Sequence, residues 1–341
     1  MTNAYPSNDK PYAGIFVKNQ FEFLAKENSG TSIFFMPRKF TGTVGSILKY
    51  LWAFGRFLPK FFSRIDIIHI HFLSPLVIIA FLYKLFHTKT KLILTSHGSD
   101  VTTLKRGSIR QQLYTRILRK FDVIIVVGEE LIHDVEQKLG LSPTHILPAG
   151  VDKGTFRPLN LEKEIDFGFV GSFTKTKGVD LLTKAILQWN QKKALFVFIG
   201  SGELESEIQK VRDAGLNVEI MQNLNQNELC KMYNSMKWLV IPSRRDAFGL
   251  VISEAIYCGT PAIVSPLPAF KRQVTNGLNG IILDSLSIDD LVTKLNRAYN
   301  MNCDEYQTLA INATKMNAEF SLEFVGNKLK QIYEEQIRFA G

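Results

Sequence analysis

The chain has 341 residues, 45% hydrophobic and 21% charged, with a formal net charge of +9. That length suits two domains better than one, and the balance excludes both a disordered chain and one embedded in a membrane. The basic excess favours anionic partners; with no long run of like charges it reads as spread along the chain, which argues against nucleic acid. Cys230, Cys258 and Cys303 show neither a CxxC pair nor metal-ligand spacing. They read as small buried hydrophobes in a reducing compartment. The first residues are polar and carry no secretory signal, and the apolar stretch 75–86 is interrupted by Lys84. It falls short of the about 20 residues a bilayer span needs, so a cytoplasmic location is expected.

In chain order, the opening TNAYPSNDKPYAG reads as a loop, followed by a helix over 15–24 with an apolar stripe. A strand–helix domain ordinarily opens with a hydrophobic strand, so either that strand is missing or the true start lies upstream of Met1. Residues 46–64 form a basic segment with bulky apolar side chains. On an ideal helix Lys49, Arg56 and Lys60 fall within about 40° of one another, and Trp52, Phe54, Phe57, Phe61 and Phe62 supply apolar surface. Gly55 and Pro59 interrupt it, and an ordinary domain helix with a solvated basic side would look much the same; the reading slightly favoured is an anionic-membrane surface. Strands at 65–71, 91–96 and 121–127 alternate with helices at 76–86 and 109–120. The alternation resumes after 160: strands at 165–170, 194–199, 218–221, 238–241 and 262–264, with helices at 179–189, 203–214, 226–234 and 250–257. Both halves therefore predict a parallel sheet covered on both faces, joined within 148–160, where Gly, Asp and Pro cluster.

The most informative stretch is 242–261, PSRRDAFGLVISEAIYCGTP. Asp246 falls in the loop before a helix and Glu254 one to two turns inside it. Phe248, Gly249 and Leu250 are expected to present free backbone N–H groups at the helix start, an anion site suited to a diphosphate. The two carboxylates then suit a hexose and a ribose. Taken alone, an acid in a helix cap and a solvated glutamate explain this spacing better. The context changes that: VGSFTKTKG at 170–178 follows a strand and opens a helix, which puts Lys177 where a phosphate meets both ammonium and amides. The GSGE at 200–203 lacks the third glycine of a dinucleotide fingerprint and reads as a close approach of backbone. His69 and His71 share one face of their strand; they read as satisfied strand-end histidines, His71 nearer the ligand-binding end, and not as a metal pair. No D-x-D occurs, so cationic and backbone donors, without a metal, are expected to meet the leaving group's charge.

The order VGSFTKTKG, FIGSGELE, PSRRDAFGLVISEAIYCGTP, VTNGLNGIIL, preceded by KPYAGIFVKNQFEFL, IDIIHIH, TSHGSDV and LPAGVDKGTFRP, resembles the family-4 retaining glycosyltransferases almost from end to end. The resemblance implies the GT-B fold: two doubly wound Rossmann-like domains facing across a cleft, the first over 1–155 and the second over 156–320, with a C-terminal helix over 321–341 returning to the first. It implies transfer of a hexose from a nucleotide-diphosphate sugar to a glycan or lipid-linked acceptor with retention at the anomeric carbon, in surface polysaccharide synthesis; the basic segment 46–64 would fit an acceptor carried on a lipid at the inner face of the cytoplasmic membrane. By the same resemblance Gly14 admits the donor diphosphate, His97 stands beside the transferred sugar, and Asp246 contacts the hexose. Glu254 binds the ribose, while Gly249, Leu250 and Lys177 meet phosphate. Two departures stand out. Ser172 occupies the place of the family's usual Arg, leaving Lys175 as the substitute cation without the bidentate fork, and Asp246 is one methylene shorter than the usual Glu. They keep a non-catalytic partner of the same fold open as an alternative; a nucleotide-sugar epimerase fits the motif order less well.

Overall fold

The computed structural model describes residues 1–7, 10–27, 30–36, 42–315 and 318–338. Residues 8–9 of the opening loop, 339–341 of the expected C-terminal helix, and the side chains of Ser46 and Ile47 lie outside that description. The chain divides into two units. The first runs to Gly150 and includes the C-terminal stretch from Leu322; the second spans Val151–Ser321 with a short stretch ending at Tyr12.

In the first unit β1 (Ile67–His71), β2 (Lys91–Ser96), β3 (Val123–Val126) and β4 (His145–Ile146) form a parallel sheet in that order. The three longer strands lie where the β-branched runs predict them. β4 has two residues, too few to show a period. On the other side of β1, Thr2 bridges in parallel to both His71 and Phe35, and the His71 amide donates to the Met1 carbonyl at 2.9 Å. The helix Leu322–Arg338 belongs to this unit: Val325, Leu329 and Ile332 pack with Ile93, Val123 and Ile125 in one buried cluster.

The basic segment forms a helix, Gly42–Phe57, that runs through Gly55 without a break. It then tightens into a 3-10 turn, Leu58–Phe62, with Pro59 at its start, where a missing N–H costs no bond.

In the second unit β5 (Ile165–Val170), β6 (Phe196–Ile199), β7 (Val218–Met221), β8 (Met236–Ile241), β9 (Ala262–Val264) and β10 (Gly280–Ile282) are all parallel, in the order β10-β9-β8-β5-β6-β7. Their Val, Ile and Phe side chains are buried almost throughout, as a sheet covered on both faces requires. The helices Val179–Trp189, Glu205–Asp213 and Ile288–Tyr299 pack in one group; Gln226–Ser235, Leu250–Tyr257 and Cys303–Thr314 pack in another. Right-handed crossovers running in opposite directions from β5 place the two groups on opposite faces. Strand order reverses between β5 and β8, so the loops leaving these two strands flank the crevice in which open α/β sheets bind ligands. Cys230 and Cys258 are buried here, their sulfurs 3.8 Å apart. Cys303 departs from the expected burial: it is exposed, at the first position of a helix on the outer layer.

Candidate functional site

The loops after β5 and β8 are held together by backbone. Gly178 has φ +76°, and a Cβ there would lie 2.0 Å from the Pro242 carbonyl oxygen; only glycine permits that approach. Arg244 fastens the same loops. Its guanidinium donates to both carboxylate oxygens of Asp180 (2.6 and 3.0 Å) and to the Lys175 carbonyl (2.5 Å), and its amide donates to the Thr176 carbonyl at 2.8 Å.

Across this junction Lys177 Nζ donates to Asp246 Oδ2 at 2.5 Å. The other Asp246 oxygen accepts the amides of Phe248 (3.3 Å) and Gly249 (3.1 Å). This corrects one expectation: those two amides are not free but serve Asp246, because a carboxylate two and three residues upstream is ideally placed for an Asx turn. Gly249, at φ +81°, caps the helix Leu250–Tyr257, whose first amides, those of Leu250 and Val251, lack intrahelical acceptors by geometry. A carboxylate thus sits where the helix start and an ammonium both favour negative charge. Lys175 and Ser172 are exposed at the rim of the same loop. The Phe248 side chain is buried, and its carbonyl accepts from Gln273 Nε2.

Glu254 is not a solvated helix-face residue. It is 6% exposed, in the second turn of that helix. Tyr233 Oη, on the helix Gln226–Ser235, donates to Glu254 Oε2 at 2.9 Å. Burial raises the Glu254 carboxyl to about 7, against the Tyr233 hydrogen bond, which favours the carboxylate. Glu254 Oε1 retains acceptor capacity for a ligand hydroxyl. Tyr233 escaped the sequence reading; a tyrosine on an amphipathic helix carries no sign of its partner 21 residues away.

His97 and Gly14 lie in the first unit. The ring of His97 is half-buried between Phe16 (4.7 Å between centroids) and Phe72 (4.5 Å), and its Nε2 lies 3.2 Å from His71 Nδ1. His71 stacks in turn on His69 at 4.4 Å, which sits between Tyr333 Oη (2.5 Å) and Thr95 Oγ1 (2.8 Å). Burial holds all three imidazoles neutral, His97 down to about 3 and the other two well below their ordinary value. Asp100 fixes the loop: its carboxylate accepts from Ser96 Oγ, the His97 and Gly98 amides and, at 2.7 Å, the Leu73 amide. Gly14, at φ +67°, opens the helix Ile15–Glu27, and a Cβ there would lie 2.2 Å from the Ala4 carbonyl oxygen. Among the described residues no group of three His, Cys, Asp or Glu could hold a metal ion, and no helix is long and apolar enough to cross a membrane.

Residues 16–154 match the family model Glycosyltransferase Family 4, and residues 152–316 match Glycosyl transferases group 1. An uncharacterized glycosyltransferase of Methanocaldococcus jannaschii is 29% identical over 278 residues, covering 80% of this chain and 76% of that protein. Among solved structures, sucrose-phosphate synthase from Thermosynechococcus elongatus superposes with a TM-score of 0.72 at 19% identity, over 94% of this chain and 92% of that one. The Anabaena protein HepE, solved in complex with UDP and glucose, gives 0.74 at 13% identity over 98% of both chains.

Proposed function

Because the chain belongs to the family-4 glycosyltransferases of GT-B fold, we propose that it moves a hexose from a nucleotide-diphosphate sugar to a glycan or lipid-linked acceptor, with retention and without a metal. The observation that carries this is the pairing of Lys177 with Asp246 at the Leu250 helix start, in the loops flanking the strand-order reversal, with Glu254 one turn further along the same helix. The anomeric carbon–oxygen bond to the diphosphate breaks, and the acceptor oxygen bonds to that carbon on the same face. The acceptor proton passes to the departing diphosphate, so no enzyme nucleophile is required. Negative charge grows on the leaving oxygen, and Lys177 with the Leu250 and Val251 amides supplies fixed positive potential there; exposed Lys175 adds to it. Glu254 accepts the ribose hydroxyls. Asp246 meets the hexose and, in doing so, exchanges loop amides and Lys177 for ligand partners. For the first unit the reading rests on the family resemblance alone, which gives His97, held neutral, a sugar contact and Gly14 the room that a diphosphate needs.

A second reading rests on one observation: both carboxylate oxygens of Asp246 already have partners, in its own loop and in Lys177. A partner protein that binds nucleotide sugar without turnover fits that arrangement too. The test is a thermal-shift screen of nucleoside diphosphates and nucleotide sugars against wild type and Glu254→Ala, followed by nucleotide release with acceptors present. The expected result is a donor that raises Tm of wild type only and is then consumed, with or without chelator. Stabilisation without release across the donor and acceptor panel selects the partner reading; loss of turnover with chelator overturns the metal-free scheme.

A further inference from the structure

The basic excess is not spread out. Residues 28–99 hold nine Lys and Arg and a single acid, Asp66, so this stretch accounts for nearly all of the chain's +9. Much of it surrounds one corner of the first unit, where the 3-10 turn Leu58–Phe62 meets the C-terminal end of the helix Leu76–Phe86. The corner is braced by hydrogen bonds and ring packing. Tyr83, fully buried, donates from its hydroxyl to the Ser63 carbonyl at 2.5 Å and accepts the Ile65 amide at 2.9 Å. His87 Nε2 lies 2.8 Å from the Phe61 carbonyl oxygen, and the Phe61 ring packs on Phe54, Phe57, Tyr83 and Phe86.

That framework leaves large apolar side chains facing out. Phe62 is 91% exposed and Phe86 76%; Leu51, Phe54, Leu58 and Leu85 are also exposed. Arg56, Lys60, Arg64 and Lys89 are exposed on the same elements or the turns that follow them. Arg56 lies over the Trp52 ring at 5.1 Å, and Asp66 pairs with Arg64 at 3.2 Å.

We infer that this corner is a docking surface for an anionic lipid bilayer, with Phe62 and Phe86 entering the interface and the surrounding cations meeting lipid headgroups. Apolar tips ringed by Lys and Arg are the composition that binds a negatively charged leaflet in its plane, and long cationic side chains reach the headgroups while their stems stay with the apolar surface. A second copy of the chain is a poor occupant, because a symmetric contact sets each patch against itself and brings like charges together. The surface involves none of the residues assigned to the donor, so it stands or falls separately from the transfer reaction.

Co-sedimentation of the full chain with vesicles tests this. The expected result is pelleting with phosphatidylglycerol-containing vesicles at low salt, release as salt rises, and no pelleting with pure phosphatidylcholine. Phe62→Ser with Phe86→Ser, and separately Lys60→Glu with Lys89→Glu, each lower the bound fraction about tenfold with Tm unchanged, since all four side chains are exposed. The inference is overturned if wild type stays in the supernatant with anionic vesicles, or if the Phe pair pellets as well as wild type. It is equally overturned if sedimentation in solution shows a dimer that the Phe pair dissolves, or if an oligonucleotide strips the protein from the vesicles at equal charge.

Discussion

In the first unit burial holds His69, His71 and His97 in their neutral forms; in the second it holds Glu254 close to half-protonation at neutral pH. Both are cases of desolvation disfavouring charge, yet they act on stability in opposite directions. The histidines have folded values depressed below about 6.5. Their contribution is complete above that pH and is lost as pH falls through the folded values, near 3 for His97. Glu254 has its folded value raised from 4.5 to about 7. Its contribution is complete below 4.5 and is lost as pH rises through about 7. A neutral group suits contact with an uncharged sugar, while a carboxyl poised near 7 can lend or withhold its charge from a ribose.

The largest expected effect tests the charged side of that contrast. Lys177→Ala is expected to lower kcat by about 10²–10³, the loss typical of one donor to a developing oxyanion, while His97→Asn, neutral for neutral, costs less. Equal losses in steady-state assays would erase the distinction between the two units. Next is the proton linkage. Nucleotide affinity is expected to fall about tenfold per pH unit below about 7, as Glu254 takes up the proton that blocks its acceptor role, and Glu254→Gln is expected to flatten the profile in calorimetric titrations. A wild-type profile that is already flat from pH 5 to 8 would show that no poised carboxyl meets the ribose. The smallest effect concerns positioning. Tyr233→Phe removes one hydrogen bond to Glu254, worth about 1 kcal/mol. It is expected to weaken nucleotide binding about fivefold, leave kcat unchanged and move the pH midpoint upward, since the Tyr233 bond favours the carboxylate. A downward shift would mean that Tyr233 stabilises the protonated acid instead.

In the second unit several elements match the pattern residue for residue. The helices 179–189 and 250–257 and the strands 165–170, 218–221 and 262–264 fall at the residues where pattern places them. The spacing of Asp246 and Glu254 likewise put one in the loop and the other inside the helix. What pattern could not supply was long-range pairing. Tyr233 with Glu254, Arg244 with Asp180, and His71 with His97 lie 21 to 64 residues apart, and no local periodicity encodes which polar side chain a fold will bring opposite another. The two-residue β4 is too short to show a period, and β10, Gly280–Ile282, was missed as well. The occupied amides of Phe248 and Gly249 were a local feature that competed with the expected role: the motif supplies its own anion.

Glu254 follows the helix start at Leu250 by four residues, an axial distance of about 6 Å at 1.5 Å per residue. On the proposed reading the helix acts as a ruler: it sets how far a ribose held by Glu254 would stand from a phosphate held at the first turn. One inserted residue would swing the glutamate by about 100°, away from Tyr233 and out of reach. On the same reading, a change of residue at 246 is expected to retune the sugar, whereas a change in the count from 250 to 254 is expected to abolish nucleotide binding.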